Sequence, residues 1–481
     1  MKEKSFHKTI AKNTGLFGIS HITRAIVRII SNKVAAIFLG PIGIGIIGLL
    51  ENVLSLIYSI TNFGIAESSV REIAIADQDR SEKKSRQLIT IVYKWAFATG
   101  LLGLTVFLIF SKQISDVVFE SQSELLWFIC LGSYFLFTSI ANVRIAVLKA
   151  KKKVGLMVKY NIFTAILSSI ISVAGYYFFG IRGILPVVIA TSLINLLLSL
   201  YFTKSIQVSS SAIGIKQTFK DGIPMAKLGL LLSVGVIFGQ ICFYVIRWFL
   251  KTYYSFETLG VYQVSNTVLV GYLGMVFAAM SNDFYPRLCN YENNKTYFDD
   301  LINDQTEFAL LIVVPAVLVL YLIAPFLIGL LYSSEFLNVL DILKVGLLGI
   351  TLRAIVWPIG YIPLIKGNKP LFLKQNLLGD IVNVVASVVL FYYLGLVGLG
   401  IAMVTMFFVS GVYNYYVARV YYDFKFRPKT LKIILVSLLL SITAMVVVLF
   451  SEFKNFNYLI IILFIISAFY SLAYLKKSLF Y

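Results

Sequence analysis

Two arginines in the first apolar stretch carry the strongest chemical signal in this chain. His21, Arg24, Arg28 and Asn32 follow one another at i, i+3, i+7 and i+11. That spacing puts all four on one helix face, with the two guanidinium groups about 6 Å apart along the axis. Residues 10–39 contain no carboxylate to neutralise them. An arginine facing hydrocarbon costs several kcal/mol, so the stripe reads as the wall of a cationic cavity that holds an anion through charge-assisted hydrogen bonds. The alternative is a structural ion pair with Glu51 in the next helix, but one acid leaves the second arginine uncompensated.

A second stripe, Gln240, Tyr244, Arg247 and Lys251, advances by four, three and four residues. It supplies a basic, hydrogen-bonding face, with snorkelling of the two cations to the outer interface as the plainer explanation. Polar residues at helical spacing also occur at Glu51, Asn52, Ser55, Ser59 and Asn62, at Gln263, Asn266 and Thr267, and at Asn376, Asp380, Asn383 and Ser387. From these, Asn52, Asn62, Gln240, Tyr244, Asn266 and Asn376 are the expected polar lining of a cavity, with interhelical packing as the alternative for each. Glu51 and Asp380 are the acids placed to couple an ion. Arg353 shares a face with Trp357 and Tyr361, a set suited to a pyrophosphate and sugar rings, or simply to arginine packed on tryptophan. Asp341 and Lys344, at i and i+3, are expected to form a local ion pair.

Catalysis finds no support. The chain has no G-x-x-x-x-G-K-[ST], no H-E-x-x-H and only two histidines, His7 and His21. Its three cysteines, Cys130, Cys242 and Cys289, are scattered, so neither a metal site nor a cofactor is expected. A membrane polymerase or glycosyltransferase using scattered Asp and Arg is the rival of another class, but the large polar outside loop common in such enzymes is missing.

The elements that must hold these residues are membrane helices. Of 481 residues 59% are apolar and 14% charged, with a mean hydropathy of +0.86, where a soluble protein carries roughly a quarter of its residues as charges. Windows of about twenty residues give fourteen spans: 10–39, 43–66, 88–111, 124–148, 154–179, 182–203, 222–250, 258–284, 303–331, 337–365, 370–394, 396–420, 430–450 and 457–475. The first is too long and too charged for a signal peptide. The net charge of +19 would suggest nucleic acid in a soluble chain, but its placement gives another answer. With the N-terminus inside, about 25 lysines and arginines fall on inside segments and about four on outside loops. The inside set includes Lys2 to Lys12, Arg80 to Arg86, Lys149 to Lys153, Lys425 to Lys429 and Lys476-Lys477, and the outside set is Lys112, Arg182, Lys251 and Lys454. The excess therefore orients the helices with both termini inside and meets anionic inner-leaflet lipid; no nucleic-acid partner is expected.

The chain also repeats itself. Gly45-Ile46-Ile47 with Val53-Leu54 resembles Gly260-Val261-Tyr262 with Val268-Leu269, an offset of 215 residues. Gly180-Ile181-Arg182-Gly183-Ile184 pairs with Gly395-Leu396-Val397-Gly398-Leu399, and Lys159-Tyr160-Asn161 with Lys374-Gln375-Asn376, at that same offset. Six spans separate the partners, so the halves share one orientation. The expected fold is all-α and polytopic. It has two six-helix lobes, residues 1–212 and 213–425, related by a parallel pseudo-twofold repeat, and residues 426–481 add two helices.

Several strings then resemble a known family: Phe38-Leu39-Gly40-Pro41 with Gly43 and Gly45, Glu257 to Gln263 following Arg247, and Tyr285-Pro286-Arg287-Leu288 after the eighth span. Tyr332-Ser333-Ser334-Glu335-Phe336 and Trp357-Pro358-Ile359-Gly360-Tyr361 leading to Lys366-Gly367 complete the set. In this order, over roughly residues 10–425, they resemble the O-antigen flippases, or lipid-linked oligosaccharide translocases, of the multidrug, oligosaccharidyl-lipid and polysaccharide exporter superfamily. The resemblance implies a pair of six-helix lobes in the bacterial inner membrane. It also implies transport of an undecaprenyl-pyrophosphate-linked oligosaccharide from inner to outer leaflet, alongside a polysaccharide polymerase and a chain-length regulator. The family's cationic cavity would map onto Arg24, Arg28 and Arg247. Val245 and Ile246 stand where relatives often carry an acid before that last arginine. The related lipid II flippases have fourteen helices where O-antigen flippases usually have twelve, and a cation-coupled multidrug exporter is a further alternative.

Overall fold

With scarcely a charge in its apolar windows, this chain must satisfy its backbone internally, and in lipid only helices and closed barrels do so. The structure, a computed structural model, describes residues 2–78, 81–119, 125–206, 213–450 and 456–479, and the side chains of most of these from Thr23 onward. His21 and the terminal lysines lie outside the described side chains, and Arg80 and Lys454 lie outside the described residues. Every regular element among the described residues is a helix, and the protein is an all-α, multi-pass membrane protein.

The chain divides into two compact units, Met1–Tyr244 and Val245–Tyr481. The first unit holds α1 (Lys2–Thr61), α2 (Ile65–Gln78), α3 (Glu82–Ile109), α4 (Ser111–Phe119), α5 (Leu125–Leu131), α6 (Ser133–Ala150), α7 (Val154–Phe179) and α8 (Ile184–Thr203). It also holds most of α9 (Ile215–Tyr253). The repeat places a boundary at 212/213, whereas the division into units falls inside α9. The early part of that helix is bound to the first unit by Trp95 Nε1 donating to Thr218 O (3.0 Å) and by a close backbone approach of Gly229 to Gly64.

The second unit continues with α10 (Phe256–Asn266), α11 (Leu273–Asn290), α12 (Lys295–Leu331), α13 (Val339–Gly360), α14 (Ile362–Ile365), α15 (Lys369–Tyr422), α16 (Pro428–Leu449) and α17 (Phe456–Leu479). A π-helical turn, Thr267–Tyr272, joins α10 to α11. The eighth span runs on to Asn290, which puts Cys289 in the last turn of α11.

Among the described residues, nine helical stretches are long and apolar enough to cross a membrane. Three of them, bent at Gly40, Gly180 and Gly395, each hold two crossings. With α13 and α17 they accommodate the fourteen expected. Many large apolar side chains face outward, among them Phe178, Phe326, Tyr393 and Phe469, all more than two-thirds exposed. On a soluble protein this would be an aggregation surface; here it is the surface lipid covers.

The 215-residue repeat has a geometric counterpart. Gly180 (φ 54°, ψ −135°) and Gly395 (φ 59°, ψ −140°) adopt nearly the same left-handed backbone, closed to most L-residues. Three residues on, a methyl group at Gly183 would run into the carbonyl oxygen of Gly175, and one at Gly398 into that of Leu390. The obstructing partners, 175 and 390, keep the same offset. Gly398→Ala is expected to cost about 1–3 kcal/mol by overpacking, read as a lowered melting temperature in detergent. Gly155→Ala, where a Cβ meets nothing within 4 Å, should leave it unchanged or raise it.

In the second unit, α16 and α17 are bound to α12 through one buried acid. Glu307, 4% exposed, accepts from Thr430 Oγ1 (2.5 Å) and Tyr474 OH (3.1 Å), and pairs with Arg427 Nη2 (3.2 Å) and Lys429 Nζ (3.3 Å). Arg427 also reaches Asp300 and Asp304. The expected local pair is present too, with Lys344 Nζ 2.7 Å from Asp341 Oδ1.

Candidate functional site

In the first unit, Arg24 is half-buried and Arg28 exposed on α1, ahead of the bend at Gly40. Beyond the bend Glu51 is exposed, whereas Asn52 and Asn62 are 4% and 5% exposed. Asn52 donates to Gln240 Oε1 (2.7 Å) and, at 3.5 Å, to Gln240 O. Two expected cavity residues therefore bind each other, across α1 and α9. The Oδ1 atoms of Asn52 and Asn62 are shielded from solvent without a hydrogen-bond partner among the described residues. Such atoms cost roughly 1–3 kcal/mol each unless a ligand or water meets them, which keeps both as ligand-facing candidates.

The α9 stripe divides. Tyr244 is half-buried at the end of the first unit, and Arg247 in the second donates to Gln263 Oε1 (3.0 Å). Lys251 lies over the ring of Phe256 at 5.4 Å. Asn266 donates to Tyr262 O of its own helix (3.2 Å), immediately before the π turn. Such turns are frequent at functional sites.

The second unit brings Arg353, Asn376 and Asp380 to one cavity of about 270 Å³ between α13 and α15. Trp357 and Tyr361 line it, as their shared face with Arg353 requires. The guanidinium, however, does not stack on Trp357. It lies 4.8 Å over Phe277 and 6.0 Å from Phe407, while Trp357 packs against Phe277 and Phe284 (centroids 5.8 and 5.5 Å). The reason is steric: α11 brings Phe277 against α13, and the flat cation covers its face. Arg353 Nη1 is shielded from solvent and has no hydrogen-bond partner among the described residues. Neither Arg353 nor Asp380 forms an ion pair among them.

Three further lining residues escaped the sequence reading: Gln375, Ser410 and Asn414. Gln375 is 5% exposed, with both amide atoms unpaired among the described residues, and the Asn414 Oδ1 is in the same condition. Phe407, Ser410 and Asn414 follow i, i+3, i+7, a stripe that periodicity alone would have found. Arg144, by contrast, is bound inside the first unit, stacked 4.6 Å over Tyr93 and donating to Thr203 Oγ1 (2.8 Å).

Among the described residues, the arrangement offers a guanidinium in no ion pair, a carboxylate at Asp380, aromatic faces and unpaired amide atoms within one small cavity, fit to hold a polar anion bearing hydroxyl groups. Among solved structures, the chain is similar to the lipid II flippase MurJ in an inward closed conformation. The match has a TM-score of 0.70 at 14% identity and covers 97% of this chain and 100% of that one. It is also similar to an inward-facing multidrug resistance MATE family transporter of the MOP superfamily (TM-score 0.66, 13% identity, 83% and 94% covered). A MATE transporter of Vibrio cholerae matches with a TM-score of 0.60 at 15% identity over 86% of this chain and 98% of that one. At these identities the likeness establishes the fold, one found in flippases and transporters. No curated protein matches the chain in sequence. The family model described as polysaccharide biosynthesis protein matches residues 34–341, more than half of the chain. With that match added to the helical repeat and the buried cation, the chain belongs to the polysaccharide biosynthesis protein family.

Proposed function

We propose that the protein is a flippase that moves an undecaprenyl-pyrophosphate-linked oligosaccharide, an O-antigen or similar surface-polysaccharide unit, from the inner to the outer leaflet of the bacterial cytoplasmic membrane. Arg353 carries the reading. A guanidinium held within membrane-spanning helices, with no carboxylate on it among the described residues, calls for an anionic ligand. The amides and rings around it suit sugar hydroxyls and sugar faces. Arg24 and Arg28, with Arg247, supply further positive charge for the pyrophosphate. A dianion crossing hydrocarbon unaided would face a prohibitive desolvation cost.

Asp380 in the same cavity, and Glu51 in the first unit, are the acids through which an ion couples to the cycle. A cation taken up at Asp380 changes the field at Arg353 and with it the hold on phosphate. Transport is by alternating access through the lobes 1–212 and 213–425, with 426–481 appended. Both termini are cytoplasmic, where the basic segments meet anionic lipid, and the product passes to a polymerase and a chain-length regulator.

A lipid II flippase is the second reading, favoured by the likeness to the whole MurJ chain. Reconstitution in liposomes separates these, scoring head-group access from outside for a fluorescent polyprenyl-pyrophosphate oligosaccharide, for lipid II and for a cationic dye. Movement of the oligosaccharide lipid, reduced at least about tenfold by Arg353→Gln, supports the proposal. Movement of dye alone, or a new glycosidic linkage, rejects it.

A further inference from the structure

At the end of α12 that meets α16 and α17, a second cavity of about 330 Å³ is bordered by charges of alternating sign. Asp283, Asp304 and Glu307 stand against Arg287 and Lys429. Glu307 is consumed in docking the last two helices, but the other four side chains remain more than half exposed, with Asp283 paired to Arg287 at 3.1 Å. The cleft passes directly into an apolar groove of about 610 Å³ between α11 and α12, formed by Met275, Val276, Ala279, Met280 and Ile312. Asp283, Gln305 and Phe308 border both. At this junction Gln305 Nε2 is shielded from solvent and has no partner among the described residues, an unused donor where polar cleft becomes apolar groove.

We infer that cleft and groove together hold one bilayer phospholipid with a primary ammonium and a single phosphate in its head group, a phosphatidylethanolamine. The ammonium donates to Asp283 and Asp304, which retain acceptor sites beside their arginines. The phosphate meets Arg287 and Lys429. Gln305 donates to the glycerol ester carbonyl, and one acyl chain fills the groove. Two carboxylates and two cations, all more than half exposed, distinguish this site from the cavity around Arg353, whose charged lining is Arg353 and Asp380. A pyrophosphate dianion would face Asp283 and Asp304, and an anionic head group would bring them no cationic N–H donor to offset its own charge. The inference rests on the membrane placement of the helices and not on the transported lipid, so failure of the translocation assay leaves it standing.

Native mass spectrometry of the purified full chain, released from detergent with equal dioleoyl lipids, tests it. Phosphatidylethanolamine should be retained at least about tenfold over phosphatidylcholine, whose nitrogen has no N–H, and over phosphatidylglycerol. Retention should fall stepwise through the mono- and dimethylated head groups, a comparison that needs no mutation. In Asp283→Asn/Asp304→Asn the preference should shrink to within about twofold while the variant keeps its melting temperature. Equal retention of all three lipids, or preference for phosphatidylglycerol, overturns the assignment.

Discussion

Arg24→Ala/Arg28→Ala is expected to abolish head-group translocation while leaving membrane insertion and melting temperature near wild type. Two features of α1 support this. Arg28 is exposed and Arg24 half-buried, so neither anchors a core, and truncation leaves no cavity of the kind that destabilises. Both also put positive charge into an apolar helix, at a cost that an arriving anion offsets. Charge-assisted contacts contribute roughly 1.5–3 kcal/mol each, so losing two reduces phosphate binding by a factor of about 10²–10⁴. The lysine double variant should recover part of the activity, because it keeps the charge but not the forked geometry. Normal translocation by the alanine variant, with protein correctly inserted, would remove the cationic cavity from the mechanism.

Glu307→Ala should produce the largest loss of stability, about 3–5 kcal/mol, the usual cost of breaking a buried charge network from one side. The substitution leaves Thr430 Oγ1 and Tyr474 OH without the carboxylate they donate to, and Lys429 without its ion pair. Arg427 keeps Asp300 and Asp304, so the damage falls on the docking of α16 and α17. Limited proteolysis should release a fragment beginning near residue 428 well before the rest of the chain is cut. Glu307→Gln, which retains an acceptor, should fall between the two. A uniform cleavage pattern in the alanine variant would show that the apolar contacts suffice to hold these helices.

What the sequence makes legible follows from local periodicity. The helices, the Gly180 and Gly395 turns and the Asp341–Lys344 pair depend on neighbours within a few positions, and hydropathy or spacing reveals them. The face shared by Arg353, Trp357 and Tyr361 is of the same kind, and the structure places all three at one cavity. What the sequence conceals depends on partners far along the chain. Asn52 meets Gln240 across 188 residues and Glu307 meets Thr430 across 123. Glu307, closing the acidic opening of α12 after Asp299, Asp300 and Asp304, looks like part of a solvated helix end until α16 closes over it. Phe277 under Arg353 is hidden for the same reason, since an apolar residue in an apolar helix has no mark of its own.

The glycine bends at Gly180 and Gly395 also bear on how the chain is made. Each connects two membrane crossings through a turn with almost nothing polar in it: Arg182 alone in the first, and no charge from Gly395 to Leu399 in the second. Such a turn offers the insertion machinery no signal to retain or translocate, and neither helix of the pair can be oriented by its own loop. Direction for each pair therefore falls to the basic residues at its outer ends, Lys149 to Lys153 and Lys204 for one, and Lys366, Lys369 and Arg419 for the other. The two crossings of a pair are then oriented together, and removing the lysines at one end is expected to disturb both crossings at once.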